Sequence, residues 1–145
     1  MSFKKNKQLV LQFYEEVWGE GNLEFAKEVF HENYVRHDLR QGNPVAGAAG
    51  QMQIARDFRT AFPGLQIQID LVFGDEEYIA ARWTMTGTHT AQWGDIQPTN
   101  KKASFSGVNL FRFENGKVAE IWNHRDDLGL MQQLGVEVYA GQINK

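Results

Sequence analysis

The sequence predicts an α+β domain in which helices come first and an antiparallel meander follows. Three observations carry this expectation. Before Pro63 the apolar residues recur with a helical period, from Leu65 the period switches to two, and Asn115-Gly116 stands between "NLFRFE" and "KVAEIW" as a two-residue hairpin signal. At 145 residues the chain fits one domain, 1–145, with a single core.

Leu9, Val10, Phe13, Tyr14 and Val17 form the stripe of an amphipathic first helix, with Ser2 placed to cap it and "GEGN" to break it. Asn22 can cap a shorter helix whose inner face is Leu23, Ala26, Val29 and Phe30. That helix carries His31 and leads into "YVRHDLRQGNPVAGAAG", read as a loop. A third helix is expected over 51–62, with Ile54, Ala55, Phe58, Ala61 and Phe62 on one side and Pro63-Gly64 as its stop.

Leu65, Ile67, Ile69, Leu71 and Phe73 then alternate with Gln66, Gln68, Asp70 and Val72, as in a half-buried strand. "GDEE" is its turn. "YIAARWTMTGTH" reads as a second strand, "ASFSGVNLFRF" as a third after the polar loop "AQWGDIQPTNKK", and "KVAEIW" as a fourth running back beside it. A short helix with Leu128, Met131 and Leu134 inward follows.

Composition narrows the function. A net charge of -3 and the lack of a clustered basic face beyond Lys4, Lys5 and Lys7 argue against nucleic acid. The absence of Cys removes thiolate nucleophiles and thiolate metal sites. No window is apolar enough for a membrane span, and the first residues lack a signal-peptide pattern, so a cytoplasmic protein is expected. Four Trp, four Tyr and ten Phe can fill a core or wall a cavity for a flat apolar ligand.

Counting outward from a two-residue turn pairs Phe113 with Val118, Phe111 with Glu120, Asn109 with Trp122, Gly107 with His124 and Phe105 with Asp126. Phe105, Asn109, Phe111, Trp122, His124 and Asp126 then share the inner face, and Val108, Leu110, Arg112, Ile121, Asn123 and Arg125 the outer one. Both faces are substantially apolar, which predicts a homodimer through the outer face.

The stretch "TGTHTAQWGDIQPTNKKASFSGVNLFRFENGKVAEIWNHRDDLGLMQQLG" resembles the SnoaL-like polyketide cyclase family of the NTF2-like superfamily. The tail carries the resemblance at Arg112, Phe113, Gly116, Lys117, Glu120, Trp122, Asp126, Gly129, Leu130, Gln133, Leu134 and Gly135, and "YVRHD" and "AFPGL" extend it over nearly the whole chain. Departures from the family pattern fall at Thr90 and Ala91 after His89, at Gln97-Pro98, and at Asn100 in place of the Gly before Lys101.

The resemblance implies a cone-shaped barrel, a strongly curved, mainly antiparallel sheet around helices with a deep apolar pocket. It also implies cofactor-free aldol ring closure, with an acid/base Asp on the last strand that corresponds by motif position to Asp126. His37 falls where many members carry a His. The wider superfamily includes isomerases, hydrolases and non-catalytic binding modules, which stay open as alternatives.

For Asp126 the competing role is an N-cap, one that Asp127 can fill instead. His37 could orient or protonate a substrate oxygen, or bond locally in its loop. His89 and His124 have no metal-binding spacing and are read with His37 as pocket donors; no metal and no cofactor are expected. Tyr14, Phe58, Phe62, Trp83, Trp93, Asn109 and Trp122 complete the candidate pocket for a small apolar or polyketide-like substrate. No Ser-hydrolase elbow or phosphate loop is present.

Overall fold

The computed structural model describes residues 2–37 and 47–136. Helix α1 spans Phe3–Gln12, with the Ser2 hydroxyl accepting the Lys5 N–H at its start as expected. The chain continues directly into a π-helix, Phe13–Gly19. Its wide turns bury Phe13, Tyr14, Val17 and Trp18 together, and Arg59 closes its end by donating to the Trp18 and Gly19 carbonyls at 2.6 and 2.9 Å. A 3₁₀ turn, Leu23–Phe25, precedes the short helix α2, Ala26–Val29.

Strand β1, Phe30–His37, lies where the sequence suggested the end of a helix and a loop. His31 is therefore a strand residue, its Nε2 lying 2.6 Å from the Glu114 carbonyl oxygen. Helix α3, Ala48–Ala61, follows, and then a meander of β2, Gln66–Gly74; β3, Tyr78–Thr88; β4, Lys102–Glu114; and β5, Lys117–Arg125. Helix α4, Asp127–Gln133, comes last.

The sheet order is β1-β5-β4-β3-β2, with β1 parallel to β5 and every other pairing antiparallel. It is open, and helices cover its concave face, the arrangement of the expected cone. Phe13 and Tyr14 reach from the π-helix to Phe111 on β4, and Phe13 meets Phe30 edge to face at 5.1 Å. Asn115 and Gly116 form the expected hairpin turn with φ 53° and 82°, and Asn100 takes φ 60°. Asn100 thus occupies a left-handed position, a conformation natural to the glycine of the family pattern.

Two β-bulges overturn the face assignments made by counting. Phe113 pairs with Val118 as expected, but Arg112 pairs with Glu120 and Phe111 with Ile121, so Ala119 is an extra residue on β5. Every residue beyond it changes side. Ile121, Asn123 and Arg125 face inward with Phe111, Asn109 and Gly107, while Trp122 and His124 join Leu110 and Val108 outside.

Asp70 plays the same part on β2. Ile69 pairs with Trp83 and Leu71 with Arg82, so Val72 turns inward and Leu71 and Phe73 stand outside, 57% and 61% exposed. The Asp70 carboxylate accepts from Arg82 and from the Thr84 hydroxyl, which holds the bulge.

Candidate active site

A cleft opens between the helices and the inner face of β3, β4 and β5. It is lined by Tyr14 and Trp18 from the π-helix, Arg36 from β1, Gln51, Ile54 and Phe58 from α3, and Trp83, Met85, Phe105, Asn109, Asn123 and Arg125 from the sheet. The space for the centre of a water-sized sphere is about 10 Å³, room for roughly one water. A larger ligand needs these side chains to part.

The polar groups of the cleft come from neighbouring sheet positions and the two main helical segments. Asn109 Nδ2 donates to the Tyr14 hydroxyl at 2.7 Å, tying β4 to the π-helix in the interior. Burial pushes the Tyr14 phenol well above its usual range, against the smaller opposing effects of the Asn109 hydrogen bond and the Arg36 charge. Tyr14 is therefore a neutral O–H donor at every physiological pH. Tyr34 is likewise pushed up by burial, against smaller opposing effects of the neighbouring Gln51 side chain and the Arg36 charge.

Arg125 lies over the Phe58 ring with its guanidinium carbon 4.4 Å from the centroid, and it forms a two-point ion pair with Asp127 at 2.5 and 3.3 Å. Three buried polar atoms of the lining have no hydrogen-bond partner: Gln51 Nε2, Trp83 Nε1 and Asn109 Oδ1. Among the described residues, the lining holds no carboxylate and no imidazole.

Tyr14, Phe58, Trp83 and Asn109 thus meet in the cleft as expected candidates. Phe62 and Trp93 form the layer behind, each packed on Phe58, with Phe62 also against Phe105. His89 is fully buried, but it belongs to the 89–101 loop rather than the lining. Its Nδ1 accepts the Thr99 N–H at 3.2 Å, its ring packs on Phe62, and burial holds its pKa below the usual imidazole range.

The bulge at Ala119 corrects the expectations for Trp122, His124 and Asp126, and the pairing of β1 with β5 corrects that for His37. Asp126 follows the end of β5, is exposed, and caps α4 by accepting the Gly129 N–H at 2.8 Å. Asp127, expected as that cap, is instead the first helical residue and the partner of Arg125. Trp122 faces outward, where it stacks on His37 at 4.9 Å; His37 also bonds to Glu120 at 2.8 Å, and His124 is exposed nearby. Neither Asp126 nor His37 lines the cleft.

Counting from the turn missed Asn123 and Arg125 because of the same extra residue. It missed Arg36 because β1 pairs with a strand far along the chain. Gln51 had a local signal, since it stands on the α3 face three and four residues before Ile54 and Ala55.

Residues 8–134 match the family model described as SnoaL-like polyketide cyclase. The chain belongs to the SnoaL-like polyketide cyclase family. A solved structure of a candidate polyketide cyclase from Acidithiobacillus ferrooxidans is 31% identical, covers 93% of this chain and 98% of its own, and superposes with a TM-score of 0.78. AclR, a candidate hydroxylase from Streptomyces galilaeus, is 26% identical over 94% of this SnoaL-like chain and 100% of its own, with a TM-score of 0.82. TsrD from Streptomyces laurentii shares the fold at 22% identity and a TM-score of 0.85, covering 94% of this chain and 99% of its own. No curated protein matches the sequence.

Proposed function

We propose that the protein is a cyclase-type enzyme closing a ring by intramolecular aldol addition within a small apolar carbonyl substrate, with Tyr14 as the proton donor. The observation that carries this reading is the buried Tyr14 hydroxyl, held protonated and aimed by Asn109 in a cleft of aromatic walls and N–H donors. Because the lining offers no carboxylate or imidazole among the described residues, the reading favours a 1,3-dicarbonyl, which supplies its own enol.

The enol α-carbon attacks the carbon of a third carbonyl tethered to the dicarbonyl, forming the new C–C bond and closing the ring. The resulting alkoxide takes the Tyr14 proton, and the enol hydroxyl proton returns through water to the tyrosinate, so no atom is gained or lost. Arg36 is the nearby charge that favours the tyrosinate. The aromatic walls fold the substrate into attack geometry. Tyr14→Phe is expected to lower turnover of a 1,3-diketone tethered to a ketone by about 10²–10⁴-fold with its binding retained. Unchanged turnover would exclude Tyr14 as the acid.

The tightness of the cleft, and the absence of an acidic side chain in its lining among the described residues, favour one second reading, a binding module without turnover. It would bind the same diketone and release it unchanged.

The proposal includes a homodimer through the outer sheet face. Paired positions His37, Trp122, Leu110, Ala80 and Phe73 run across all five strands, and Val108 and Leu71 sit in the next outward row. The charges within this face pair with one another, Arg82 with Asp70 and Arg112 with Glu120. An apolar row flanked by charges that pair among themselves can meet a second copy of itself, as a two-fold interface requires.

A further inference from the structure

Gln51, Trp83 and Asn109 are 2%, 3% and 7% exposed, and each leaves one polar atom unpartnered in the same cleft. Buried polar groups without partners are rare and costly, and here three of them line a space that admits about one water. Gln51 Nε2 and Trp83 Nε1 are donors, whereas Asn109 Oδ1 is an acceptor, its own Nδ2 being committed to Tyr14.

One kind of oxygen answers all three. A hydroxyl has two lone pairs to receive the two N–H groups and one proton to give to the Asn109 carbonyl; a ketone oxygen satisfies the donors but leaves Asn109 unanswered. We infer that the cleft is a hydroxyl-recognition site, formed by Gln51, Trp83 and Asn109, for an apolar ligand bearing an alcohol or enol group, with a water in that place when the ligand is absent. The inference rests on the cyclase reading for its biological setting, because aldol addition creates such a hydroxyl. Its chemistry depends only on the three side chains.

The test needs no turnover. ¹⁵N-labelled protein is titrated with 4-hydroxy-4-phenylbutan-2-one and with 4-phenylbutan-2-one, which lacks the hydroxyl, while the indole N–H resonances are followed; Trp83→Phe assigns the Trp83 signal. The hydroxyketone is expected to move that signal and to bind at least about tenfold more tightly than the deoxy ketone. Gln51→Leu and Asn109→Leu should each shrink the preference. Equal affinity of the two compounds in the wild-type protein, or a Trp83 indole unmoved at saturation, overturns the site even if a variant fails to fold. If the hydroxyl preference holds while Tyr14→Phe leaves turnover unchanged, the cyclase mechanism fails and this site stands; the reverse pair of results removes this site alone.

Discussion

Asn109 on β4 and Tyr14 in the π-helix, 95 residues apart in sequence, share a buried 2.7 Å hydrogen bond at the floor of the cleft. Removing either partner leaves the other with an unpaired polar group in the interior. Asn109→Leu is expected to cost about 1–3 kcal/mol of unfolding free energy, measured by urea denaturation. A double-mutant cycle with Tyr14→Phe should show non-additivity, because the second change then removes no further contact.

Asp126 is an exposed cap of α4 that stands apart from the cleft lining, which makes its substitutions diagnostic. Asp126→Asn retains a capping side chain and should leave stability and ligand binding nearly unchanged. Asp126→Ala should lose about 1 kcal/mol from the attachment of α4, again without altering binding. Thermal unfolding and titration of the two variants side by side check this. A loss of turnover in Asp126→Asn with unchanged stability would return the carboxylate to the chemistry.

The outer sheet face should close a dimer. Sedimentation equilibrium at micromolar protein is expected to give twice the chain mass, and Leu110→Lys should return it to the monomer mass. Leu110 is 40% exposed in the isolated chain and lies amid the row from His37 to Phe73, so a lysine there is tolerated by the fold but not by an apolar interface. A wild-type monomer at that concentration removes the interface.

His89 makes stability depend on pH in one direction. Its folded-state pKa lies below the ordinary 6.5 because the ring is buried. The unfolded chain therefore binds the proton more readily, and stability falls as pH drops below about 6.5 towards the folded pKa. His89→Asn keeps an acceptor near the place of Nδ1 but cannot titrate. The stability gap between wild type and variant should narrow from pH 7 to pH 5 in denaturant melts. A constant gap would assign the titration elsewhere.

Much of the fold was legible because its signals are local. The capping Ser2, the stop at Pro63-Gly64, the Asn115-Gly116 turn and the period change at Leu65 each act within a few residues. Strand β1 was not, because its pairing with β5 is parallel and distant, and no short stretch of "HENYVRH" encodes it. The cleft was legible in part. Tyr14, Phe58, Trp83 and Asn109 lie where periodicity needs no correction, whereas Trp122, His124, Asp126, Asn123 and Arg125 all lie beyond Ala119. An extra residue accommodated inside a ladder leaves no mark in the alternation, since both faces of β5 carry apolar side chains.

That single residue also works as a phase shift in a signal of period two. Deleting Ala119, or aligning a relative with a gap placed one position away, exchanges the wall of the cleft for the outer surface over the rest of β5. A length change in the 115–120 segment would therefore alter more of the cleft than a single substitution there, and a relative with a different spacing between this turn and "DLGL" would present different side chains to its interior even where its letters agree.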